Sequence, residues 1–207
     1  VDPFLAEWLR SSPLGCHPAF DLVQGDVLQV HLDGILPDHK VKLVANLPYS
    51  ISTPVLFRLF ELRERFSLLV LMVQREVAER MAASPGTKSY GTLSVWCQIH
   101  GRILDRVSVS PGAFFPRPKV RSTVLKIVLY PKPLLPEEDL TMFRGLVRAA
   151  FGQRRKTLSN ALGGLLNKAR GETEAVLRQK GIDPRRRGET LSVEEFIRLA
   201  HALKVVT

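Results

Sequence analysis

The chain has 207 residues, with 30 Lys+Arg against 20 Asp+Glu and a formal net charge of +10. Hydrophobic residues make up 45% and charged residues 24%, so a disordered or collagen-like chain is excluded and a packed core is required. The basic balance suits a polyanionic partner, although a solvated surface accounts for such charge about equally well.

Val1-Asp2-Pro3 carries no initiator Met and runs straight into an amphipathic segment with Phe4, Leu5, Trp8 and Leu9, as though the sequence begins partway through a fold. Short β-rich runs then alternate with amphipathic stretches, the pattern of an α/β layered sheet. A strand is expected over 20–24, stopping at Gly25-Asp26, and a second over 41–45, stopping at Asn46-Leu47-Pro48-Tyr49. A crossover helix follows, with the Thr53 hydroxyl as N-cap and Pro54 at the first helical position. The run Leu68-Leu69-Val70-Leu71-Met72-Val73 reads as a strand apolar on both faces, as one buried under helices should be. It is also the longest apolar run, far short of the roughly 20 residues that cross a bilayer, so no membrane partner is expected.

Helices over 76–81 and 90–99 are joined by Ser84-Pro85-Gly86, and β-branched alternation predicts late strands over 106–110 and 122–130, antiparallel at one edge. Pro131-Lys132-Pro133 with Pro136 makes a stiff linker, after which everything reads as helix: 138–151, 156–166, 173–179 and 193–203. The last is introduced by Ser192-Val193-Glu194-Glu195, a capping box. The expected division is therefore 1–130, a partial α/β domain, and 131–207, a small all-helical one. The helical part carries a net +6 in 77 residues, denser than the net +4 of the first 130.

Cys16 and Cys97 stand alone, and five histidines are scattered without ligand spacing, so neither a disulfide framework nor a metal site is expected. A reducing cytoplasm fits such a chain. In an open α/β sheet, ligands sit beyond the carboxyl ends of the strands. Asp26, at the first such position, can accept from an amino group such as adenine N6, but a turn cap is the commoner role of an Asp there. Asn46-Leu47-Pro48-Tyr49 is more specific. Asn46 offers a carbonyl oxygen, Pro48 restricts Leu47 to an extended conformation, and Tyr49 supplies a flat ring. Two acceptors and a ring would grip the exocyclic amine of a planar base.

The segment Asn46-Leu47-Pro48-Tyr49-Ser50-Ile51-Ser52-Thr53-Pro54 resembles the catalytic motif of the ribosomal RNA adenine N6,N6-dimethyltransferases, the small-subunit enzymes related to the erythromycin-resistance methylases. The resemblance continues in order through Gln74-Arg75-Glu76-Val77-Ala78-Glu79-Arg80-Met81, Tyr90-Gly91-Thr92-Leu93-Ser94-Val95, Phe114-Phe115-Pro116-Arg117-Pro118-Lys119-Val120 and Phe151-Gly152-Gln153-Arg154-Arg155-Lys156-Thr157-Leu158. It covers essentially the whole chain. It implies a Rossmann-like class I methyltransferase sheet with an all-helical C-terminal domain, and S-adenosylmethionine as cofactor. It implies that Asp26 and the Val27 backbone contact the cofactor adenine and that Asn46 lies between cofactor and substrate. The Leu47 or Pro48 carbonyl would share the target amine, with Tyr49 and Phe114 sandwiching the flipped adenine. Arg117, Lys119, Arg121, Arg154, Arg155 and Lys156 would lie near rRNA phosphates. The implied protein is a cytoplasmic monomer acting on small-subunit rRNA within the immature ribosomal subunit.

One departure stands out. The family carries a glycine-rich loop and a ribose-binding acid upstream, whereas no Gly-x-Gly occurs in this sequence. The expectation is a chain starting just past both elements, its first strands missing, that binds cofactor poorly and is itself inactive. A module that docks on rRNA without chemistry is one alternative. A DNA adenine methyltransferase with the related Asn/Asp-Pro-Pro-Tyr motif is another, disfavoured by Leu47 in place of the first Pro. If only the ring face of Tyr49 matters, Tyr49→Phe is tolerated.

Overall fold

A computed structural model describes residues 2–132 and 134–204; Pro133 of the linker lies outside the described residues. The chain forms two compact units, 1–38 and 39–207.

The first unit opens with helix α1 (Pro3–Ser11), which starts where it does because Asp2 caps it: one carboxylate oxygen accepts the N–H groups of Phe4 at 2.9 Å and Leu5 at 3.3 Å. The chain then turns tightly at Gly15, where a Cβ would lie 2.2 Å from the Leu9 carbonyl oxygen. Residues 20–24 are irregular, not the expected strand. A strand exists only where a ladder partner takes its N–H and C=O groups, and no second extended segment among the described residues of this unit provides one.

The second unit holds a four-stranded sheet in the order β1-β2-β4-β3. β1 (Val41–Asn46) runs parallel to β2 (Phe66–Gln74), while β4 (Ser122–Leu129) is antiparallel to both β2 and β3 (Gly101–Val109). The late strands are thus antiparallel at one edge, as expected, though β3 begins five residues before the predicted strand. On β2 the faces differ: Leu69, Leu71 and Val73 are fully buried, and Leu68, Val70 and Met72 are half-buried.

Helix α2 (Ser52–Glu61) makes the crossover between β1 and β2. Thr53 does not cap it; Ile51 is the N-cap residue, and Pro54 is the third helical residue. That position tolerates proline because it precedes the first intrahelical bond, which Val55 N–H makes to the Ile51 carbonyl at 3.0 Å. Next come α3 (Arg75–Met81) and α4 (Thr92–His100), and after β4 a turn at Glu137–Asp139 leads into α5 (Leu140–Gly152), α6 (Leu158–Leu166), α7 (Arg170–Gln179) and α8 (Val193–Lys204). The capping box forms as read: Ser192 N–H donates to Glu195 at 2.8 Å, and Glu195 N–H to the Ser192 hydroxyl at 3.2 Å.

An aromatic chain joins these helices. Trp96 on α4 stacks on Phe143 of α5 at 5.9 Å, Phe143 meets Phe196 of α8 edge-on, and Phe151 closes on both Phe196 and Tyr90. Gly188 lies against α5 so closely that a Cβ would sit 2.6 Å from the Ala150 carbonyl oxygen. Burial pushes the Cys97 thiol up to about 12 and holds the Tyr90 phenol well above its ordinary range, so both stay protonated and serve packing.

His100 is 6% exposed, stacked on Phe60, and neither ring nitrogen has a hydrogen-bond partner among the described residues. Burial, then the nearby Arg63 and Arg144 guanidinium groups, lower its pKa to about 4. The unfolded chain therefore binds a proton near pH 6.5 that the folded chain refuses until about pH 4. Stability falls as pH drops through that window, by about 2 kcal/mol between pH 7.5 and 5 from this group. Urea denaturation at the two pH values is expected to show a shallower loss in His100→Phe.

Candidate active site

The mixed pairing brings four chain ends to one edge of the sheet: Asn46, Gln74 and Val109, closing β1, β2 and β3, and Ser122, opening β4. The loops that carry three of the sequence motifs therefore start or finish at that edge.

Past β1, buried Leu47 still donates its N–H to the Met72 carbonyl at 3.1 Å, so the ladder extends one residue and Asn46 is left exposed beside it. The Pro48 carbonyl accepts Ile51 N–H at 3.1 Å, and the Tyr49 carbonyl accepts the Ser52 hydroxyl at 3.2 Å. Both bonds close the turn into α2. The half-buried Tyr49 side chain ends at Ser122: the two hydroxyls share a hydrogen bond of 2.6 Å. Sequence reasoning missed Ser122, since nothing local marks a serine opening a strand as the partner of a tyrosine 73 residues earlier.

Phe114 follows a single turn at Pro111–Ala113 in the loop between β3 and β4 and is half-buried, whereas its neighbour Phe115 is fully exposed. Arg117, Lys119 and Arg121 are exposed along the same loop, whose end is pinned by Arg75 N–H donating to the Arg121 carbonyl at 2.9 Å. This edge thus presents an amide, a proline turn, aromatic rings and cations.

The second basic cluster divides. The Arg154 guanidinium pairs with Glu189 at 2.9 Å and donates to the carbonyls of Lys88 at 3.2 Å and Tyr90 at 3.0 Å. It ties the turn before α4 to the segment before α8, and Gly86 N–H reinforces that tie by donating to the Glu189 carbonyl at 2.7 Å. Arg155 and Lys156 are exposed. Among the later arginines, Arg186 forms a bidentate pair with Glu195 at 2.6 and 2.9 Å, and Arg185 pairs with Asp183.

Asp26 and Val27 belong to the first unit. Asp26 is exposed, follows irregular chain rather than a strand tip, and closes its own turn, one carboxylate oxygen accepting Leu28 N–H at 2.9 Å. A carboxylate has about four lone-pair sites, so this cap leaves acceptor capacity. Within the second unit a cavity of about 500 Å³ lies between α2, α4 and α5, with Phe57, Trp96, Val147 and Phe151 among its walls. Among the described residues no group of three or more His, Cys, Asp or Glu could hold a metal, and no helix is long and apolar enough to cross a membrane.

The helix-covered mixed sheet, the Asn-Leu-Pro-Tyr turn at its strand-end edge and the helical C-terminal part define a class I methyltransferase fold. A family model described as "Ribosomal RNA adenine dimethylase" matches residues 1–204. The chain is 47% identical over 194 residues to "Ribosomal RNA small subunit methyltransferase A" of Geobacter metallireducens, covering 90% of this chain and 70% of that protein. It is 48% identical over 180 residues to the protein of the same name from Syntrophotalea carbinolica, covering 87% and 68%. A dimethyladenosine transferase from Plasmodium falciparum superposes with a TM-score of 0.71 at 26% identity, over 86% of this chain and 70% of that one. The 23S rRNA methyltransferase ErmE shares the fold with a TM-score of 0.67 at 24% identity, over 99% and 80%. The chain belongs to the ribosomal RNA adenine dimethylase family.

Because Arg154 is engaged with protein groups, Arg154→Ala is expected to cost about 1–2 kcal/mol of stability, read by chemical denaturation. Arg155→Ala and Lys156→Ala should each stay within about 0.5 kcal/mol of the parent.

Proposed function

We propose that this chain acts in the S-adenosylmethionine-dependent N6,N6-dimethylation of adenines in small-subunit ribosomal RNA. In this reading it works as a cytoplasmic monomer on the immature subunit, with 1–130 as the methyltransferase part and 131–207 as the helical rRNA-binding part. The single observation that carries the reading is the strand-end turn with an exposed Asn46, a buried Leu47 and a ring at Tyr49, in a chain of the adenine dimethylase family. The names of the relatives, rRNA small subunit methyltransferase A, supply the substrate class.

The residues present suit the adenine end of the cofactor, while the glycine-rich loop and ribose-binding acid of the family have no counterpart in this sequence. Asp26 keeps acceptor capacity for an adenine amino group, with the Val27 backbone next to it in the chain, and Asn46 is exposed at the strand-end edge. When bound, S-adenosylmethionine supplies an electrophilic methyl group. What the chain's residues must do is prepare the acceptor nitrogen. The N6 lone pair of adenine is delocalised into the ring, so N6 is a poor nucleophile. The Asn46 side-chain oxygen and the Leu47 or Pro48 carbonyl accept its two hydrogens and favour a pyramidal nitrogen. Since Pro48 already accepts Ile51 N–H, the Leu47 carbonyl is the less committed partner. Positioning and electrostatics then carry the rate, and the proton leaves to water after the nitrogen is alkylated, without a dedicated base.

The target base must first leave its stack, at a cost of a few kcal/mol offset by aromatic stacking of about 1–3 kcal/mol. Tyr49 and Phe114 provide that stacking. Arg117, Lys119 and Arg121 on the β3–β4 loop, with Arg155 and Lys156 after α5, hold phosphates, while Arg154 supports the second group through its ties to Glu189, Lys88 and Tyr90.

In the intact protein, Asn46→Ala is expected to lower turnover on unmodified small-subunit rRNA by roughly 10²–10³; near-normal methylation would overturn the assignment. Replacing Arg155 and Lys156 should flatten the log–log salt dependence of RNA binding by about 0.7–0.9 per lost contact. An unchanged slope returns both to the solvated surface.

A further inference from the structure

Tyr49 is attached by its backbone to the end of β1, yet its hydroxyl finishes on β4. In the order β1-β2-β4 the strand β2 lies between them, so two strand spacings, roughly 10 Å, separate the backbones. The side chain therefore reaches across the carboxyl end of β2.

Its partner is an immobile reference point. Ser122 is 0% exposed, pairs with Gln74 of β2 on one side and Val109 of β3 on the other, and follows the Arg121 carbonyl that Arg75 N–H holds. The bonds that close the Pro48–Tyr49 turn are made by backbone carbonyls and leave the ring torsions unspecified. The Tyr49 χ1 torsion has three staggered wells, and its χ2 is broad. Among the described residues, the 2.6 Å bond to Ser122 is the side-chain hydrogen bond that fixes the ring among them.

We propose that Ser122 is a positioning residue for base capture: its buried hydroxyl holds the Tyr49 ring in one plane before the flipped adenine arrives. This rests on the reading that Tyr49 stacks on that base. Ring order established in the free protein does not have to be purchased at binding, so the interaction acts on affinity for the RNA more than on the chemical step. It also revises the expectation that the ring face alone matters: Tyr49→Phe keeps the face and loses the anchor. The loop bearing Phe114, Arg117, Lys119 and Arg121 ends directly at Ser122, so its last residues and the Tyr49 ring share one fixed point.

The test begins without RNA. The chain has three tyrosines, and ¹³C labelling of their rings lets the Tyr49 signals be assigned by their loss in Tyr49→Phe. Ser122→Ala is expected to shift and broaden the Tyr49 ring signals while those of Tyr90 and Tyr130 stay in place, and Ser122→Thr should restore them. Unmoved Tyr49 signals in Ser122→Ala overturn the proposal. With the intact protein and unmodified small-subunit rRNA, Ser122→Ala and Tyr49→Phe should each raise KM by about 10-fold with kcat little changed. The double variant should match either single one, as for two partners in one bond. Additive losses, or an unchanged KM in Tyr49→Phe, overturn it. Tyr49→Phe decides the matter even if Ser122→Ala does not fold, because it removes the bond while the serine side chain stays in place. If the parent protein methylates no RNA while the ring signals still respond to Ser122→Ala, the enzymatic reading falls and the anchoring of Tyr49 stands.

Discussion

The double pairing of β2 is the constraint on which the rest of the second unit depends. It takes β1 in parallel on one side and β4 antiparallel on the other, so chain ends far apart in sequence finish at one edge. A parallel neighbour requires a crossover, and α2 supplies it. The antiparallel neighbour brings the loop from β3 to the same edge. Without this mixture, Asn46, Tyr49, Phe114 and Ser122 would have no common address. The Tyr49–Ser122 bond spans the constraint at its narrowest point, across the end of β2.

A second set of interactions determines which of the many cations are paired with protein groups. The rings of Tyr90, Trp96, Phe143, Phe151 and Phe196 pack α4, α5 and α8 into a shared apolar layer. Arg154 and Arg186 are drawn into bonds at the margin of those helices, with Glu189 and Glu195 as their counter-charges. Arg144 pairs with Glu61 and covers the Trp96 ring at 5.2 Å. These three arginines help hold helices and turns together, Arg144 and Arg154 while still about half exposed, whereas Arg117, Lys119, Arg121, Arg155 and Lys156 are exposed without such ties among the described residues. The net charge of +10 is therefore unevenly available to a polyanion.

Local patterns in the sequence were read well where a local cause dominates. The apolar run Leu68 to Val73 lies in β2, the alternation from Ser122 onward is β4, and the Ser192–Glu195 capping box forms with both reciprocal bonds. The readings that failed lacked a non-local term. Phe20 to Gln24 has strand composition but no ladder partner among the described residues of its unit. Thr53 has the right chemistry for a cap, yet the helix begins at Ser52, and Pro54 as its third residue still precedes the first intrahelical bond. Asp26 illustrates both sides: its turn cap was legible as the commoner role, and its supposed place at a strand tip was not real.

The sequence by itself determined the class of element at most positions, the basic balance and the Asn-Leu-Pro-Tyr turn, because helix period, strand alternation and proline restriction act within a few residues. It also carried the family resemblance, since four further motifs follow that turn in order. Only the tertiary structure decided that Tyr49 is anchored on Ser122 and that Arg154 is bound to Glu189 and two carbonyls. Those outcomes depend on strand order and helix packing, which bring together side chains 73 and 35 residues apart in the chain. Hydrogen bonds depend on distance in space, and no pattern confined to neighbouring residues encodes it.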